Sequence, residues 1–282
     1  MRLANRGGRA WLVDGAGRGV DLEHASGGRF GPDPMQALAR WDALRGWLAA
    51  AALAYGETLD LRALGPCVPR PRAVFAIGLN YRDHAVEAKL ELPKAPMVFT
   101  KFPSCLAGPA DDVVLFSNRV DFEAELVVVI GRSAADVPEP HALEHVAGYC
   151  AGQDVTDRRL QFQDKPPQFS LGKSLAGFGP IGPWLTTLDE LRDPLDLAIT
   201  CRIDGTPVQA SRTREMVFGV PALVAYLSRH CRLEPGDLIF TGTPAGVGSL
   251  RQPPRYLAPG EQIETEIEGL GRLLNRCVPA PA

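Results

Sequence analysis

The amino-acid sequence predicts a mainly β protein with a few helices, in the α+β class. Glycine and proline are frequent, with 29 and 25 residues among 282, so the secondary-structure elements should be short and separated by turns. Strand-length apolar or alternating segments recur along the chain. They do not alternate regularly with helical segments, as the strands of a doubly wound sheet would.

The first part of the chain is predicted to form a small N-terminal α/β domain, residues 1–69. Residues 1–30 should contain two or three short strands. Residues 34–54 should form one amphipathic helix, because apolar residues recur at helical spacing, namely Met35, Leu38, Trp41, Leu44, Trp47 and Leu48. The proline-rich connector 64–71 marks the boundary to a larger catalytic domain, residues 70–282.

The larger domain is predicted to contain mostly strands. The predicted strands are 73–78, 97–101, 122–130, 195–203, 238–241 and 262–267. Two helical segments are expected, at 141–146 and 220–232. Asp204 and Gly205 follow the fourth of these strands and are typical of a two-residue hairpin turn.

Composition and charge exclude several functional classes. The formal net charge is −3 and the basic residues are spread along the chain, which argues against a nucleic-acid or membrane partner. The six cysteines are far apart and form no C-x-x-C pair, so neither a disulfide framework nor a zinc site is expected. The N-terminus is too polar for a signal peptide. These features together predict a reduced, cytoplasmic protein.

The most informative strand carries acidic residues. Side chains alternate between the two faces of a strand, so Asp121, Glu123 and Glu125 should project together, ahead of the apolar run 127–130. Like charges on a half-buried face repel each other and lose hydration, and a bound Mg²⁺, Mn²⁺ or Ca²⁺ relieves both costs. A further acid, Asp154, could complete the set of ligands. The alternative interpretation is a solvated edge strand.

Seven segments of this chain occur together and in order in one protein family. They are 77–87, 99–104 with 108–109, 121–125, 154–161, 171–174, 182–184 and 241–248. In these segments the chain resembles the fumarylacetoacetate hydrolase family, in its branch of bacterial acylpyruvate and diketo-acid hydrolases. The resemblance covers roughly residues 70 to 270.

The resemblance implies a fold, a cofactor and an activity. The expected fold is a mixed β-roll or sandwich with a small N-terminal domain, assembled as a homodimer. One Mg²⁺ or Mn²⁺ ion per subunit would bind Glu123, Glu125 and Asp154, with Asp121 as a neighbour of the ligands. The expected reaction is hydrolysis of a carbon–carbon bond in a 1,3-dicarbonyl 2-oxo acid, such as an acylpyruvate, fumarylpyruvate or a diketo sugar acid, through a metal-stabilised enolate.

Other reactions remain compatible with the same residues. Decarboxylation of oxaloacetate-type acids, hydration or isomerisation of 2-oxo enoic acids, and dehydration of sugar acids all require a metal-stabilised enolate. A catalytically silent protein that only binds such acids is an alternative from a different functional class.

A histidine and a glutamate are predicted to form the general base. Asn80 is expected to cap a short helix that starts near Tyr81, which would place His84 and Glu87 on neighbouring positions of one helical face. There the carboxylate can orient the imidazole to deprotonate water. Such a pair is usually only a surface contact. The resemblance, however, places this one in a mobile segment that closes over the substrate.

Four further residues are expected to bind the substrate. The resemblance implies that Lys173, Arg158 and Gln161 hold the substrate carboxylate and stabilise the developing enolate, with Lys173 also in a catalytic role. Their chemistry suits this task, because fixed cations and an amide donor stabilise an anion. Thr243 offers a hydroxyl group and nearby backbone N–H groups to the same carboxylate. Ordinary surface salt bridges are the alternative for Lys173 and Arg158.

Two positions depart from the family pattern. Gln153 stands where the family often has Asn, and Arg159 stands where it usually has an acid beside the metal loop. Either change could alter which substrate is accepted without disturbing the metal ligands.

One motif points to a different metal site. Residues 141–145 fit the pattern H-x-x-E-H of inverted zinc peptidases. Pro138, Pro140 and Gly148 leave barely two helical turns, too few for such a site. An exposed helix is therefore the predicted structure.

Overall fold

The computed structural model describes residues 1–281; Ala282, the last residue of the predicted catalytic domain, lies outside the described residues. The strands are β1 (Arg2–Arg6), β2 (Arg9–Val13), β3 (Gly19–Asp21), β4 (Leu64–Gly65), β5 (Val74–Gly78), β6 (Met97–Thr100), β7 (Leu106–Ala107), β8 (Val113–Leu115), β9 (Val120–Asp121), β10 (Ala124–Ile130), β11 (Val146–Gln153), β12 (Thr156–Asp157), β13 (Gly179–Thr186), β14 (Ala198–Ile203), β15 (Thr206–Arg212), β16 (Leu238–Phe240), β17 (Gln262–Ile267) and β18 (Gly271–Pro279). The α-helices are α1 (Leu22–Ala25), α2 (Pro34–Ala39), α3 (Trp41–Leu48), α4 (Arg82–Ala88), α5 (Arg158–Gln161), α6 (Phe169–Gly172) and α7 (Val220–His230). Short 3₁₀-helices lie at Leu61–Ala63, Pro103–Cys105, Glu139–His145, Leu188–Glu190, Thr213–Glu215 and Gly248–Leu250.

The strands form one large and one smaller mixed sheet, with a separate two-stranded pair. The large sheet has the order β3-β2-β1-β13-β11-β10-β16-β5-β6, with β4 beside β1 and β7 beside β13. The smaller sheet has the order β15-β14-β17-β18-β8, and β9 pairs with β12. Helices are in the minority, so the predicted α+β class is confirmed. The predicted hairpin is also confirmed: Asp204 and Gly205 have positive φ and join β14 to β15.

The N-terminal segment contributes strands to the large sheet. Strand β1 pairs antiparallel with β13, with Arg2 opposite Thr186. One core cluster contains Leu3 from β1 together with Val127 and Ile181 from the later strands. Three short strands lie in the first 30 residues, as predicted. The two segments share a sheet and a core, and their division into domains 1–69 and 70–282 stays a prediction.

The predicted helix 34–54 is wrong in its extent. Helix α2 begins after Asp33, whose carboxylate caps it by accepting a hydrogen bond from the Met35 N–H. Arg40 leaves the helical conformation and separates α2 from α3, which ends at Leu48. The residues after Leu48 are not helical, and Leu53 packs against the core from this irregular segment.

The other predicted elements are present with shifted ends. The strand predicted at 195–203 begins at Ala198, and the one predicted at 122–130 begins at Ala124. The helix predicted at 220–232 is α7, whose 11 residues end at His230. Among residues 1–281, no helix combines the length and apolar character that crossing a membrane requires.

Strand β10 lies in the interior of the large sheet, between β11 and β16. Leu126 and Val128 pack into one apolar cluster, and Val127 and Val129 pack into another on the opposite face. Both faces of the strand are therefore buried. The alternative of a solvated edge strand is wrong, because Glu125 lies on β10, which has a neighbour on each side and no exposed face. Asp121 and Glu123, which precede β10, are buried as well.

Shortening a side chain of β10 should destabilise the whole protein. Leu126→Ala removes apolar contacts on one face of β10 and should lower the free energy of unfolding by about 2–5 kcal/mol. Chemical denaturation followed by circular dichroism measures the change. Val98→Ala on strand β6, where the side chain is 38% exposed, is the control and should cost much less. Equal costs for the two variants would contradict the interior position of β10.

Candidate metal and substrate site

Antiparallel pairing of β10 and β11 brings the three predicted metal ligands together. Ala124 at the start of β10 lies opposite Gln153 at the end of β11. Glu123 and Glu125 flank Ala124, and Asp154 directly follows Gln153. One carboxylate oxygen from each of the three acids lies within 4.8 Å of the others, and all three residues are buried. Two glutamates of the predicted alternating segment and the aspartate after β11 thus form one oxygen-rich cluster. We call it the carboxylate trio (Glu123, Glu125 and Asp154).

Lys173 bridges two members of the trio. Its ammonium group donates to Glu123 Oε2 at 2.6 Å and to Asp154 Oδ2 at 2.7 Å. A third hydrogen bond goes to the Thr156 hydroxyl at 2.7 Å. The side chain is 3% exposed, so Lys173 is a buried charge within the site and the alternative of a surface salt bridge is wrong.

Arg158 holds Glu123 from the other side. Its guanidinium donates to Glu123 Oε1 at 2.6 Å, to Asp121 Oδ2 at 2.9 Å and to Gln161 Oε1 at 2.9 Å. Asp157 caps α5 by accepting from the Arg159 and Leu160 N–H groups, which fixes the start of the helix on which Arg158 lies. Asp121 is therefore a partner of Arg158 beside the trio. In this structure Nε, Nη1 and Nη2 of Arg158 each donate to a group of the chain itself.

Glu125 is the least compensated carboxylate of the trio. It accepts one hydrogen bond, from the Gly242 N–H at 2.8 Å. Burial raises the pKa of Glu125 well above its ordinary value, and the charges of Asp154 and Glu123 add to the effect. Burial has the same tendency at Glu123, but Lys173 and Arg158 outweigh it and lower the pKa of Glu123. The site thus retains a buried acid that lacks a counter-charge.

The charges and donors of the site fit a divalent cation. When Glu125 is ionised, the four buried carboxylates of the trio and Asp121 face three buried cations, Lys101, Arg158 and Lys173. A divalent cation would turn this deficit of positive charge into a surplus of one, which an anionic substrate would balance. Carboxylate oxygens are the ligands that Mg²⁺ and Mn²⁺ prefer. The trio would hold the cation.

Lys101 is a component of the site that the sequence did not reveal. Its ammonium is buried and donates to Asp154 Oδ1 at 2.7 Å and to the backbone carbonyls of Lys173 and Phe178. Burial opposes its charge, yet Asp154 keeps the pKa of Lys101 above its ordinary value. The residue lies just beyond the end of β6 in the motif 99–104, where it could not be distinguished from a surface lysine.

Two buried amides fix the backbone that carries the glutamates. Gln153 Oε1 accepts from the Glu123 N–H at 2.9 Å, and Gln209 Oε1 accepts from the Ala124 N–H at 2.9 Å. Gln153 also donates to the Thr265 hydroxyl on β17, which links the trio to the smaller sheet. Gln153, which departs from the family pattern, thus supports the backbone of the site and does not line the cavity. The departure at Arg159 is an exposed side chain.

The glycine-rich loop 241–248 packs tightly behind the trio. Gly242 has φ of 95°, and a Cβ atom there would lie 2.8 Å from the Asn80 Cβ atom, so only glycine fits. Gly248 donates its N–H to Asp121 Oδ1 at 2.8 Å. The Thr243 hydroxyl donates to the Ala124 carbonyl and accepts from Gln209. Its hydroxyl proton is therefore used within the fold, which differs from the predicted donation to a substrate carboxylate.

Helix α4 carries the predicted histidine–glutamate dyad. His84 Nδ1 lies 3.1 Å from Glu87 Oε2, and Glu87 Oε1 accepts from the Gly246 N–H at 2.9 Å. The prediction that Asn80 caps this helix is wrong, because Tyr81 occupies the cap position without a side-chain hydrogen bond. Asn80 instead donates to the carbonyls of Phe218 and Thr241, since its buried amide needs partners there.

Contacts with the body of the protein hold α4 in place. Arg82 donates to the Met216 carbonyl at 2.7 Å, and Asp83 accepts from the Ser211 hydroxyl at 2.8 Å. Together with the bond from Gly246 to Glu87, these contacts fix the helix against the loop behind the trio. These contacts therefore fix both the start of the helix and the Glu87 carboxylate that orients His84.

One cavity of about 370 Å³ joins these groups. The predicted site residues that line it are His84, Glu123, Glu125, Asp154, Arg158, Gln161, Lys173 and Thr243. Glu87 does not line the cavity and contacts it through His84. Because Glu87 engages Nδ1 of the ring, Nε2 is the nitrogen of His84 that remains for a water molecule or a substrate.

The residues of the zinc-peptidase-like motif do not line this cavity. Residues Glu139–His145 form an exposed 3₁₀-helix, in which His141 pairs with Glu144 at 2.9 Å and His145 lies near the Ser133 carbonyl. Within residues 1–281, the only group of acidic, histidine and cysteine side chains close enough to hold an ion is the trio. The expectation of an exposed helical segment is confirmed.

Removing the charge of Glu125 should weaken metal binding. Glu125→Gln replaces a carboxylate ligand, and because changes outside the ligand set already cost about 10–100-fold in affinity, we expect at least about a 100-fold rise in the Kd for Mn²⁺. Isothermal titration calorimetry with MnCl₂ measures it. Glu264→Gln on β17 is the control, since its carboxylate pairs with Arg202 away from the cavity. An unchanged Kd for Glu125→Gln would rule out this residue as a ligand.

Residues 73–278 match the family profile described as fumarylacetoacetate (FAA) hydrolase C-terminal. The chain is 43% identical over 213 residues to the human mitochondrial oxaloacetate tautomerase FAHD2A, covering 75% of this chain and 68% of that protein. It is 50% identical to an HpcE-like protein from Mycobacterium smegmatis, with a TM-score of 0.95 and complete coverage of both chains. A maleylpyruvate hydrolase from Sphingobium sp. SYK-6, solved with manganese(II) and pyruvate, is 28% identical with a TM-score of 0.82, again over both whole chains.

The chain belongs to the fumarylacetoacetate hydrolase family, and the resemblance drawn from its motifs is confirmed. Members of this family are enzymes, and the similar proteins include a hydrolase and a tautomerase.

Proposed function

We propose that this protein is a divalent-metal-dependent enzyme that hydrolyses a carbon–carbon bond in a 1,3-dicarbonyl 2-oxo acid, with an acylpyruvate as the type of substrate. One observation carries the proposal: the carboxylate trio and the ring of His84 line the same cavity. A metal site alone would serve binding, and a dyad alone would be a surface pair. Their combination provides both an electrophilic centre and a base.

A single Mg²⁺ or Mn²⁺ bound to the trio would supply Lewis-acid polarisation of the 2-oxo acid and would stabilise an enolate. The manganese and pyruvate in the similar maleylpyruvate hydrolase support this part of the proposal. Mg²⁺ and Mn²⁺ share the same ligand preference, so both remain within it.

The dyad would activate the water. Glu87 holds His84 Nδ1, so Nε2 accepts a proton from a water molecule in the cavity. The resulting hydroxide adds to the carbonyl carbon of the acyl group. The bond between that carbon and the pyruvate methylene then breaks, and its electron pair forms the enolate of pyruvate. The proton on His84 returns to the enolate carbon, and the products are a carboxylic acid and pyruvate.

The buried cations would stabilise the negative charge that develops. Lys173 places a fixed ammonium beside Glu123 and Asp154, where the charge of an enolate would accumulate. Gln161 and Thr243 line the cavity, and Gln161 and the backbone around Thr243 would bind the substrate carboxylate. Arg158 would act mainly by holding Glu123 and Gln161, since its donors are engaged with them.

We also propose where the protein is located and how it is assembled. The six free thiols favour a reducing compartment, and the cytoplasm is the one we propose, although the human relative is named as mitochondrial. A homodimer, with neither nucleic acid nor membrane as partner, completes the proposal.

Loss of the Glu87 carboxylate should impair turnover and spare the metal. Glu87→Gln removes the charge that orients and stabilises the His84 imidazolium, so kcat should fall by about 100-fold or more. The Kd for Mn²⁺ should stay unchanged. Glu144→Gln is a matched control, because Glu144 pairs with His141 at the same spacing on the surface. Full activity of Glu87→Gln would remove the dyad from the mechanism.

Tautomerisation of oxaloacetate is a second candidate, favoured by the 43% identity to the human enzyme of that name. The same dyad could move a proton between carbon and oxygen of an enol without breaking a carbon–carbon bond. The hydrolase and tautomerase reactions have different products, so product analysis separates them.

Incubation with acetylpyruvate and Mn²⁺ should yield acetate and pyruvate in equal amounts, measured by NMR. Oxaloacetate is tested in parallel, by the absorbance of its enol and by release of CO₂. Rapid loss of the enol signal, with no cleavage of acetylpyruvate or other acylpyruvates, would contradict the hydrolase and identify a tautomerase. Release of CO₂ would identify a decarboxylase.

A further inference from the structure

We propose that the part of the cavity away from the carboxylate trio binds an uncharged, apolar acyl tail. The preferred substrates would then be 2-oxo acids with a hydrocarbon tail, and those with a second carboxylate at the far end would be disfavoured. This inference rests on the proposed binding of a 2-oxo acid at the trio, and it adds the chemical class of the other end of the substrate.

The fixed positive charges of the cavity lie at the trio and are already paired there. Among the residues that line the cavity, one is an arginine, Arg158, and one is a lysine, Lys173. Arg158 contacts Asp121 and Glu123, and Lys173 contacts Glu123 and Asp154. Lys89 and Lys94 are exposed on the segment near Leu90 but do not line the cavity. Apart from the ring of His84, which belongs to the dyad, the lining beyond the trio therefore offers no lysine or arginine to a second carboxylate.

An apolar wall begins directly beside the charged floor. The Lys173 ammonium lies 5.5 Å from the centroid of the Phe99 ring. Phe99 in turn packs edge-on against Phe169, with ring centroids 5.4 Å apart and an interplanar angle of 73°. Met97 lies over Gly78 so closely that a Cβ atom there would be 2.2 Å from the Met97 Cε atom. These side chains form a continuous apolar surface that starts at the head-group site.

The apolar surface extends to the mouth of the cavity. Leu90, Phe162 and Leu250 line it although they are 59%, 57% and 38% exposed. Large apolar side chains grouped around a cavity mark a surface that gains free energy when a ligand covers it. A hydrocarbon tail leaving the trio would cover these groups. A charged tail end would lose hydration there without gaining a partner.

This expectation separates the protein from one of its structural neighbours. Maleylpyruvate, the substrate named for the similar Sphingobium enzyme, carries a second carboxylate at its far end. The two chains are 28% identical, so the residues of the outer cavity have room to differ while the fold is kept.

A matched pair of uncleavable probes tests the tail directly. N-hexyloxamate and N-(5-carboxypentyl)oxamate share a 2-oxo-acid head group and differ by a terminal carboxylate. Isothermal titration calorimetry of each probe into the Mn²⁺-loaded protein measures binding without any turnover. We expect the hexyl probe to bind at least about tenfold more tightly, because the terminal carboxylate would lie against apolar side chains without a counter-charge.

A substitution at the mouth should reverse the preference. Leu250→Lys places an ammonium among the apolar groups, and it should tighten binding of the dicarboxylate probe and weaken binding of the hexyl probe. Leu195→Lys is the control, since Leu195 is 45% exposed and does not line the cavity. The control should leave both affinities unchanged.

The outcomes distinguish this inference from the proposed function. Equal or tighter binding of the dicarboxylate probe by the unaltered protein would overturn the apolar tail and leave 2-oxo-acid binding intact. Preference for the hexyl probe, with no acylpyruvate cleaved, would support the tail and overturn the hydrolase. If neither probe binds to the Mn²⁺-loaded protein, both the apolar tail site and the binding of a 2-oxo acid at the trio are overturned.

Discussion

Mutual repulsion among buried carboxylates is the constraint on which the centre of this protein depends. Glu123, Glu125 and Asp154 place oxygens within 4.8 Å of one another, at a depth where ionised groups need partners. Lys101 and Lys173 supply part of the compensation through short contacts with Asp154 and Glu123. Glu125 keeps one hydrogen bond and a raised pKa, and a bound cation would supply the counter-charge that this carboxylate lacks.

The surrounding fold holds these charged side chains in fixed positions relative to one another. Gln153 and Gln209 bind the backbone on each side of Glu123, and they connect the large sheet to β17 and to the loop around Thr243. Glycine is required at 242, where the loop approaches Asn80 and donates to Glu125. The same loop reaches Glu87 through Gly246. The metal site and the dyad are thus coupled through one segment of backbone, which would keep their spacing constant during turnover.

The sequence predicted the local features of the site better than its long-range contacts. Alternation on a strand predicted Glu123 and Glu125 on one face and suggested Asp154 as a further acid, and the ordered motifs then implied the ligand set and the role of His84 and Glu87. Lys101 and Gln209 could not be recognised, because their partners lie 53 and 85 positions away in the chain. The prediction for Asn80 failed for the same reason. A local rule predicted that its side chain caps a helix, but its partners in the fold are the carbonyls of Phe218 and Thr241, which are distant in the chain.

We propose that the trio holds one divalent cation, and anomalous X-ray diffraction can locate such an ion. Crystals of the protein soaked with MnCl₂ would be measured near the manganese absorption edge. One strong anomalous peak per subunit is expected beside the carboxylate oxygens of Glu123, Glu125 and Asp154, and an excess of Mg²⁺ should remove it. A map without a peak at the trio, at a Mn²⁺ concentration that populates other sites, would contradict it.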